Sequence, residues 1–569
     1  MSAPKTEAAL LRVVCGMLLL LLPVRSQAAE GDFSGYFANL SARIGQKVSA
    51  NARNLSEAAL KKLLQDPVLL NTLCQRTLMA KYGVGNFEAF AKADPSNRTF
   101  LFWLLQNTKA MDLYLLGAAP TGLGQREANN YGLPGGSLDI WKRIYYADPE
   151  SREGLYLRLA IATALRPPGT GNRGAGMQEK PSDPVVRYNS FKAAHKKKEL
   201  FPSFDNLTVW EYQHVVSSCA SESDLTWARE AINTWRPDWR IHERVVESTS
   251  QVWYRNSPIP FDHTFKNVLA GGGKCGPRSS WAVFICQAFG IPAIGVGQPG
   301  HACVAYKSLD GWKVAYGRGW NASRLEGMSG PEFVAGVESR EHTAIFSQVE
   351  HLRWLASTLA SKQQADAVTR VANALAQSTP ATQKDLTASE KAEEAEANPG
   401  AKSAFPSRPL RAKQAPTPTP RPEAPFRAAP GVLHVEAASF AKMGGQVSYG
   451  GLQTAGVLVH DCFTGGKQVH FQPHMVSAWV DYTIHVPATG IYGLTMRVAV
   501  VNREQILDIS TGTSKVATIN IPNSYGLWET TEAVDIKLSR GPQTLRVSTP
   551  FQRGVTLRWF ELKLKGARP

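Results

Sequence analysis

Apolar side chains recur at helical spacing through the first part of the chain. Leu and Ala follow steps of three and four in LSEAALKKLLQ and FLFWLLQNTKAMDLYLL, at 55–65 and 100–116. This period predicts helices that bury one face. It returns at 343–359, where we expect a packed helix to close the first domain. The Trp-rich segment around Trp227, Trp235 and Trp239 is typical of buried aromatic packing.

From Val432 onward, short runs alternate apolar and polar residues. Examples are VDYTIHV, YGLTMRVAV and TLRVS, and turn-forming residues at 487–490 and 539–541 separate such runs. Many short alternating strands are typical of an antiparallel sandwich. The pattern therefore predicts an all-β jelly-roll sandwich over 431–569.

The segment between these two regions has a different composition. Beyond Ser361 it is rich in Ala, Gln, Lys and Glu, and from Pro399 it becomes Pro-rich, with APTPTPRPEAP at 415–425. Polar, Pro-rich sequence cannot bury a core and tends to be extended. We therefore predict a disordered linker over 361–430.

The start of the chain has the three-part pattern of a secretory signal peptide. Lys5 and Arg12 precede an apolar run at 13–22, and small residues follow at 26–29. The run is shorter than the roughly 20 residues that cross a bilayer. We expect a signal peptide over 1–29, a protein that is secreted, extracellular or attached to the cell surface, and no transmembrane segment.

Charge and length restrict the possible partners and the number of domains. The chain of 569 residues is longer than a single domain usually is, so two or three domains are expected. The net charge of +16 is spread along the chain. The basic cluster at 196–198 comes without a nucleic-acid-binding motif, so a solvated loop is the favoured interpretation and no nucleic-acid partner is expected. An acidic polysaccharide or an anionic cell surface is a permitted partner.

The cysteines are sparse and show no CxxC spacing. Beyond the predicted signal peptide they are Cys74, Cys219, Cys275, Cys286, Cys303 and Cys462. This spacing argues against a disulfide scaffold and a structural zinc site, although an isolated bridge is compatible with it. We predict no metal and no cofactor.

The stretch from Gly271 to Tyr306 is the most informative for chemistry. Gly271 to Gly273 allow a close approach of the chain, Pro277 suits a first helical turn, and Gly290 suits the end of the helix. Cys275 is therefore predicted at a helix N-terminus, where unpaired N–H groups favour a thiolate. His301 opens the strand ACVAY and is the candidate base.

Three motifs in this stretch, GKCG, AFGIPA and GHA, resemble the core of the transglutaminase-like superfamily. The resemblance implies an α+β, papain-like domain that performs acyl transfer through a thioester or acts as a protease or amidase. It would comprise a mainly helical region at 30–200 and a cysteine core at 201–360. Cys275 then corresponds to the nucleophile and His301 to the base.

The third member of such a site, usually Asp, has no direct counterpart. The strand WKVAYGRGW carries Tyr316 and Gly317 where the acid is expected, so Asn321 or Tyr316 would have to orient the imidazole. Side-chain alternation along this strand would put Lys313, Ala315 and Gly317 on one face.

Structural roles for the same residues are also open. Cys275 would then be a buried apolar residue or a disulfide partner of Cys303 or Cys286, and His301 a core residue. Cys275, His301 and Cys303 supply three zinc-ligating types without an evident fourth. Spacing dictates no role for Trp253, Arg278, Gln298 or Trp320.

The segments VLHVEAASF, WVDYTIHVPATGIYGLTMRVA and LRWFEL resemble carbohydrate-binding modules of families 6 and 35. The resemblance implies aromatic stacking on a glycan, with Tyr449, Tyr525 and Trp528 as candidates and Asn523 as a polar partner. Trp528 is equally a candidate core residue. The family's structural calcium is not expected, because Ala438 and Arg558 occupy ligand positions beside Glu436.

Together these observations predict a secreted cysteine enzyme that hydrolyses or transamidates a peptide or protein amide. Its C-terminal module would tether it to a glycan such as a cell-wall polysaccharide. The alternative is a catalytically inactive, secreted glycan-binding or surface-assembly protein that retains the transglutaminase-like fold. The missing acid favours that alternative.

Overall fold

The computed structural model describes residues 33–50, 55–121, 131–170, 182–255, 257, 260–378, 431–449, 452–472, 478–503, 505–550 and 554–567. The predicted signal peptide and residues 379–430 of the predicted linker lie outside the described residues.

Helices dominate the chain up to residue 377. They are α1 (Phe33–Ala50), α2 (Glu57–Leu64), α3 (Pro67–Tyr82), α4 (Val84–Ala93), α5 (Pro95–Gln106), α6 (Thr108–Ala118), α7 (Ser137–Ala147), α8 (Gly154–Leu165), α9 (Pro184–Lys196), α10 (Val209–Val216), α11 (Glu222–Trp235), α12 (Phe265–Gly271), α13 (Cys275–Ala288), α14 (Gly330–Glu341), α15 (Thr343–Ala356) and α16 (Lys362–Gln377). Short 3-10 turns join several of them, among them Pro237–Trp239, Val245–Gln251 and Trp320–Ala322.

Local capping explains where these helices begin. Ser56 caps α2, and Asp66 caps α3 ahead of its first-turn proline. The long apolar run at 100–116 is split into α5 and α6 because Asn107 leaves the helical conformation and its side chain accepts a hydrogen bond from Ala110 N at 3.0 Å. The predicted helical periodicity is confirmed, with a break that the apolar pattern alone did not reveal.

A small antiparallel sheet packs against α13, the helix that begins at Cys275. Its strands are β1 (Ala293–Gln298), β2 (His301–Ser308), β3 (Gly311–Ala315), β4 (Arg324–Leu325) and β5 (Met328–Ser329), in the spatial order β3-β2-β1-β4-β5. Helix α13 packs against β1 and β2. Cys286 is fully buried in the core that α13 forms with this sheet, and Cys303 is fully buried in a second cluster with Trp210 and Trp320, as expected for packing residues.

The linker prediction is wrong for its first residues, because 362–377 form helix α16, which packs against α15. Val368, Ala372 and Leu375 are buried and recur at steps of four and three. This stripe buries an apolar face that the polar composition of the segment concealed.

The C-terminal region is a β-sandwich, as predicted. Its strands are β6 (Val432–Glu436), β7 (Lys442–Gly444), β8 (Gln446–Tyr449), β9 (Leu452–Ala455), β10 (Val457–Asp461), β11 (Lys467–Phe471), β12 (Ala478–Val486), β13 (Gly490–Ala499), β14 (Gln505–Thr511), β15 (Ser514–Ile521), β16 (Glu529–Thr530), β17 (Val534–Leu538), β18 (Gly541–Thr549) and β19 (Val555–Ala567).

Two sheets form this sandwich. One has the order β10-β11-β19-β13-β16, with β17 also pairing with β13 and β6 with β19, and the other has the order β15-β14-β18-β12-β7. Strand β12 follows the predicted alternation, since Val480, Tyr482 and Ile484 are buried while Thr483 and His485 are exposed. The inward-facing residues of the two sheets form a single apolar core.

The sandwich contacts the helical region directly. Ala499 and Val501 are fully buried and belong to the core of the helical region. Gln468 Nε2 donates to Thr234 O at 3.0 Å, and Thr556 Oγ1 donates to Trp235 O at 3.2 Å. Because Gln468 and Thr556 are completely buried, separating the two units would break hydrogen bonds that are shielded from water.

Among the helices of the described residues, none combines the length and the apolar character needed to cross a bilayer.

Candidate active site

The three glycines before Cys275 each lie against neighbouring atoms. Gly272 has a φ of +78°, and a Cβ there would lie 2.5 Å from Trp253 O. Gly273 N donates to Trp253 O at 2.9 Å, and Arg255 N donates to Gly273 O at 3.2 Å. The segment before the cysteine is therefore paired with residues 253–255, and a side chain at Gly272 would break this approach.

Cys275 is the first residue of α13 and is partly exposed as an unbridged thiol. Lys274 occupies the N-cap position, and among the described residues no side chain caps this helix start. The N–H groups of Cys275 and Gly276 can therefore stabilise an anion, whereas Pro277 has no N–H and Arg278 N is bonded to Lys274 O. This placement agrees with the predicted helix start, and the alternative in which Cys275 is bridged to Cys286 or Cys303 is not what the structure shows.

His301 is the first residue of β2, also partly buried. Its Nε2 lies 2.6 Å from the carbonyl oxygen of Tyr316. A carbonyl oxygen can only accept, so Nε2 carries the proton and Nδ1 of the neutral ring keeps its lone pair. The ring is therefore held in the tautomer in which Nδ1 can act as a base.

Several contacts bring the first turns of α13 to the start of β2. Ser279, one turn beyond Cys275, donates from Oγ to Cys303 O, two residues beyond His301. The Arg278 guanidinium lies 5.8 Å from the centre of the Tyr316 ring. These contacts join the first two turns of α13 to Cys303 in β2 and to Tyr316 after β3.

Tyr316 contributes through its main chain. Its φ of +61° is in the left-handed region, which a tyrosine rarely adopts, and this turns its carbonyl toward His301. Its hydroxyl donates elsewhere, to Val246 O at 3.1 Å. The predicted strand therefore ends at Ala315, and the expected alternation through Gly317 is wrong because the backbone turns at Tyr316.

Gly317 lies where no side chain fits. A Cβ at this position would be 2.8 Å from both Cys303 Cβ and Gln298 Oε1, well inside ordinary contact. Gly317 is one of the two positions at which the resemblance places an acid. The crowding explains why this one carries none.

Gln298 is a residue whose role the sequence did not reveal. It ends β1 directly opposite His301, and its Oε1 accepts from Arg318 N at 2.8 Å. Its Nε2 donates to Arg318 O and to Ser323 Oγ. Gln298 thereby fixes the turn that carries the Tyr316 carbonyl, and no spacing in the sequence links it to Arg318.

Asn321, the other predicted orienting residue, is exposed in the 3-10 turn Trp320–Ala322. In the described residues, no group of three or more His, Cys, Asp or Glu side chains is arranged to hold a metal ion, so the zinc alternative has no geometric support there.

The structure places three of the predicted glycan-binding residues in one loop of the sandwich. Tyr525 O accepts a hydrogen bond from Trp227 Nε1 at 2.9 Å, and Asn523 Oδ1 accepts from Tyr525 N at 3.5 Å. Tyr525 and Trp528 are partly buried against the core of the helical region. Tyr449 ends β8, and its side chain lies outside the described residues.

On the first and last strands of the sandwich, β6 and β19, a histidine lies between two carboxylates. His434 Nε2 is 3.2 Å from Glu436 Oε1, and its Nδ1 is 3.2 Å from Glu561 Oε1. Arg558 donates to Lys467 O at 3.0 Å. Glu436 is therefore engaged with a side-chain nitrogen.

Comparison with known proteins gives neighbours of the carbohydrate-binding kind. No protein-family profile matches the sequence, and no curated protein does so either. A C-terminal family 6 carbohydrate-binding module of a laminarinase from Zobellia galactanivorans has 20% identity and a TM-score of 0.20, and the match covers 23% of this chain and 98% of the module.

Two further neighbours are of the same kind. A family 6 module of a lichenase from Cellvibrio mixtus, solved with cellotriose, has 20% identity and a TM-score of 0.20, covering 24% of this chain and 98% of that one. A family 35 module from Clostridium thermocellum has 13% identity and a TM-score of 0.20, covering 23% and 96%. Carbohydrate-binding modules are thus structural neighbours of this chain over about a quarter of its length.

Proposed function

We propose that the protein is a cysteine acyl-transfer enzyme with a transglutaminase-like, papain-like catalytic domain. The single observation that carries this proposal is the bond from His301 Nε2 to the Tyr316 carbonyl, which leaves Nδ1 of the ring as an acceptor. Cys275 begins α13 at a start that has no side-chain cap. A thiolate at a helix N-terminus and an imidazole with a fixed tautomer are the two parts that such chemistry needs.

In the first step, Cys275 Sγ attacks the carbonyl carbon of a peptide or protein amide. The C–S bond forms, the C–N bond breaks, and His301 gives the thiol proton to the leaving amine. Water or a second amine then attacks the thioester while His301 removes its proton, which returns to the sulfur as the C–S bond breaks. Hydrolysis and transamidation differ only in that second nucleophile.

The Tyr316 carbonyl takes the place of an acid in this scheme. It fixes the imidazole ring by a hydrogen bond but supplies no negative charge to stabilise the imidazolium. Turnover by such a site is expected to be slower than with a carboxylate in that position. Asn321, exposed in the following 3-10 turn, is a second proposed orienting residue.

We further propose that the sandwich binds a glycan, such as a cell-wall polysaccharide, and that the protein is secreted. The resemblance of the sandwich sequence to family 6 and family 35 modules and the signal-like start of the chain support this. Tyr449, Asn523, Tyr525 and Trp528 are the proposed contacts. The loop at 523–528 offers a glycan only those faces of Tyr525 and Trp528 that are not packed against the helical region.

Reaction with iodoacetamide at neutral pH, read by mass spectrometry on each cysteine-containing peptide, tests the enzyme proposal. Cys275 should react faster than the partly exposed Cys219, and His301→Gln should slow only Cys275. Turnover of peptide amides should vanish in Cys275→Ala and persist in the control Cys219→Ala. Turnover that survives Cys275→Ala undiminished would contradict the assignment.

Retention on polysaccharide gels tests the proposal that the sandwich binds a glycan. Trp528→Ala should lower retention relative to the exposed control Ile491→Ala, with melting temperatures used to exclude unfolding. Equal retention of both variants would remove this loop as the binding surface.

A second candidate is a non-catalytic, secreted glycan-binding or surface-assembly protein. The observation that favours it is the crowding at Gly317, which excludes an acid there. Glycan retention without any Cys275-dependent turnover would select this candidate.

A further inference from the structure

The sandwich bonds directly to the segment that leads into Cys275. This segment consists of α12 and the glycines after it, which pair with residues 253–255. Asn502 follows β13 and is only 2% exposed. Its side-chain Nδ2 donates to Leu269 O at 3.1 Å and to Gln251 O at 3.4 Å. One amide group of the sandwich therefore bonds both to α12 and to Gln251, just ahead of the residues that pair with the glycines.

The next residue extends this contact. Arg503 N donates to Ala270 O at 3.4 Å, and its guanidinium donates to Asn267 Oδ1 at 2.9 Å. The guanidinium also lies 4.8 Å from the centre of the Phe261 ring. That ring is in close contact with Gly271. Arg503 thus secures α12 from its exposed side while Asn502 holds it from the buried side.

The path from these contacts to the thiol is short. Leu269 and Ala270 lie in the last turn of α12, and Gly272 and Gly273 follow them before Lys274 and Cys275. Gly272 N donates to Val268 O at 2.9 Å, so the position of α12 sets the glycine turn. A displacement of α12 would act on the start of α13 through Gly272, and it would strain the bonds that hold Gly273 to residues 253–255.

We infer that Asn502 is a positioning residue for Cys275, so that the sandwich forms part of the candidate active site in addition to any glycan binding. This inference rests on the proposed function for its catalytic consequence. The positioning itself follows from the hydrogen bonds and can be measured separately. It also implies that the helical region without the sandwich would hold Cys275 less firmly.

The interface supplies a matched control. Gln468 is also a buried amide of the sandwich that donates to two main-chain carbonyls of the helical region, Thr234 O at 3.0 Å and Trp235 O at 3.5 Å. Those carbonyls lie at the end of α11, remote in the chain from the cysteine segment. Asn502→Leu and Gln468→Leu therefore remove equivalent bonds from the same interface, and only the first should affect Cys275.

Two measurements on the full chain test the inference. Hydrogen exchange of the peptides covering 265–275 should be faster in Asn502→Leu and unchanged in Gln468→Leu. Alkylation of Cys275 by iodoacetamide at pH 7 should slow about tenfold in Asn502→Leu, with its pH profile moved to higher pH, and stay within about twofold in Gln468→Leu. If Asn502→Leu does not fold, Arg503→Ala, at an exposed position, should show the same changes in smaller measure.

The outcomes separate the two proposals. Equal exchange and equal alkylation in the Asn502 and Gln468 variants, or in Arg503→Ala and wild type, would overturn the positioning role. Slow alkylation of wild-type Cys275 that is insensitive to His301→Gln would instead refute the proposed function. In that case faster exchange in Asn502→Leu would still support positioning.

Discussion

Replacing Gly317 by alanine should disturb the candidate site through the main chain. The new Cβ would lie 2.8 Å from Cys303 Cβ and from Gln298 Oε1, whereas ordinary contact begins near 3.4 Å. Both neighbours are buried and engaged, so the turn at 316–318 has to move instead. The shortfall implies a shift of at least about half an ångström in the chain that carries the Tyr316 carbonyl.

The effect on rate follows from this shift. Catalytic groups need to be held within about 0.5 Å of their productive positions, and a misplacement of about 1 Å can cost about 100-fold. We therefore expect Gly317→Ala to lower turnover of a peptide amide about 10- to 100-fold. KM should change less, because the substitution removes no group that faces substrate.

Alkylation of Cys275 and amide turnover, measured side by side, provide the assay. Gly297→Ala on the neighbouring strand is the control, since a Cβ there meets nothing closer than Arg324 O at 3.9 Å. Adding Cys303→Ala to Gly317→Ala removes Cys303 Sγ, which also lies inside ordinary contact distance of the new Cβ, and should restore part of the loss. The reasoning fails if Gly317→Ala turns over like Gly297→Ala while its fold is intact.

Three further results are expected. Tyr316→Phe should keep turnover within about twofold, because the proposed orienting group is the Tyr316 carbonyl, which the substitution keeps. It should lower the free energy of unfolding by only about 1 kcal/mol, for the lost bond from the hydroxyl to Val246 O. A large loss of turnover would contradict this. Burial, together with the charge of Arg166, lowers the pKa of His214 to about 3, so the unfolded chain takes up the proton first and stability falls as pH drops below about 6.5. The loss from this group between pH 7.5 and pH 5 is about 2 kcal/mol, and denaturant titrations of His214→Phe should show a correspondingly flatter profile. Finally, cleavage at a protease site inserted within 379–430 should leave two fragments that elute together on gel filtration, because Gln468 and Thr556 bond across a buried interface; separate elution would contradict docking.

Much of the fold was predictable because its signals are local. The start of α13 could be predicted from the glycines and Pro277, and its end from Gly290, whose φ is +78°. Alternation predicted β12 and its partners for the same reason. Helix α16 was missed although Val368, Ala372 and Leu375 carry its period, since polar neighbours made the composition resemble a linker.

The features of the fold and the site that could not be predicted depend on contacts between residues far apart in the chain. The pairing of Gln298 with Arg318 and of Asn502 with Leu269 follows from tertiary packing and leaves no periodic signal. The docking of the sandwich has the same origin. The Pro-rich composition of the connection predicted a tether between the helical region and the sandwich. Composition carries no information on whether the two units also pack against each other.

The identity of the orienting group shows why a missing acid does not by itself decide between an enzyme and an inactive fold. At position 317 a carboxylate has no room beside Cys303 and Gln298. At position 316 the side chain leads away from the imidazole, since its hydroxyl bonds Val246 O. The main chain of this turn does reach His301, through the Tyr316 carbonyl, because Tyr316 adopts a left-handed conformation that costs about 1 kcal/mol or more. A conformation of that cost persists when its surroundings impose it, and here Gln298 does so by bonding both the N–H and the carbonyl of Arg318.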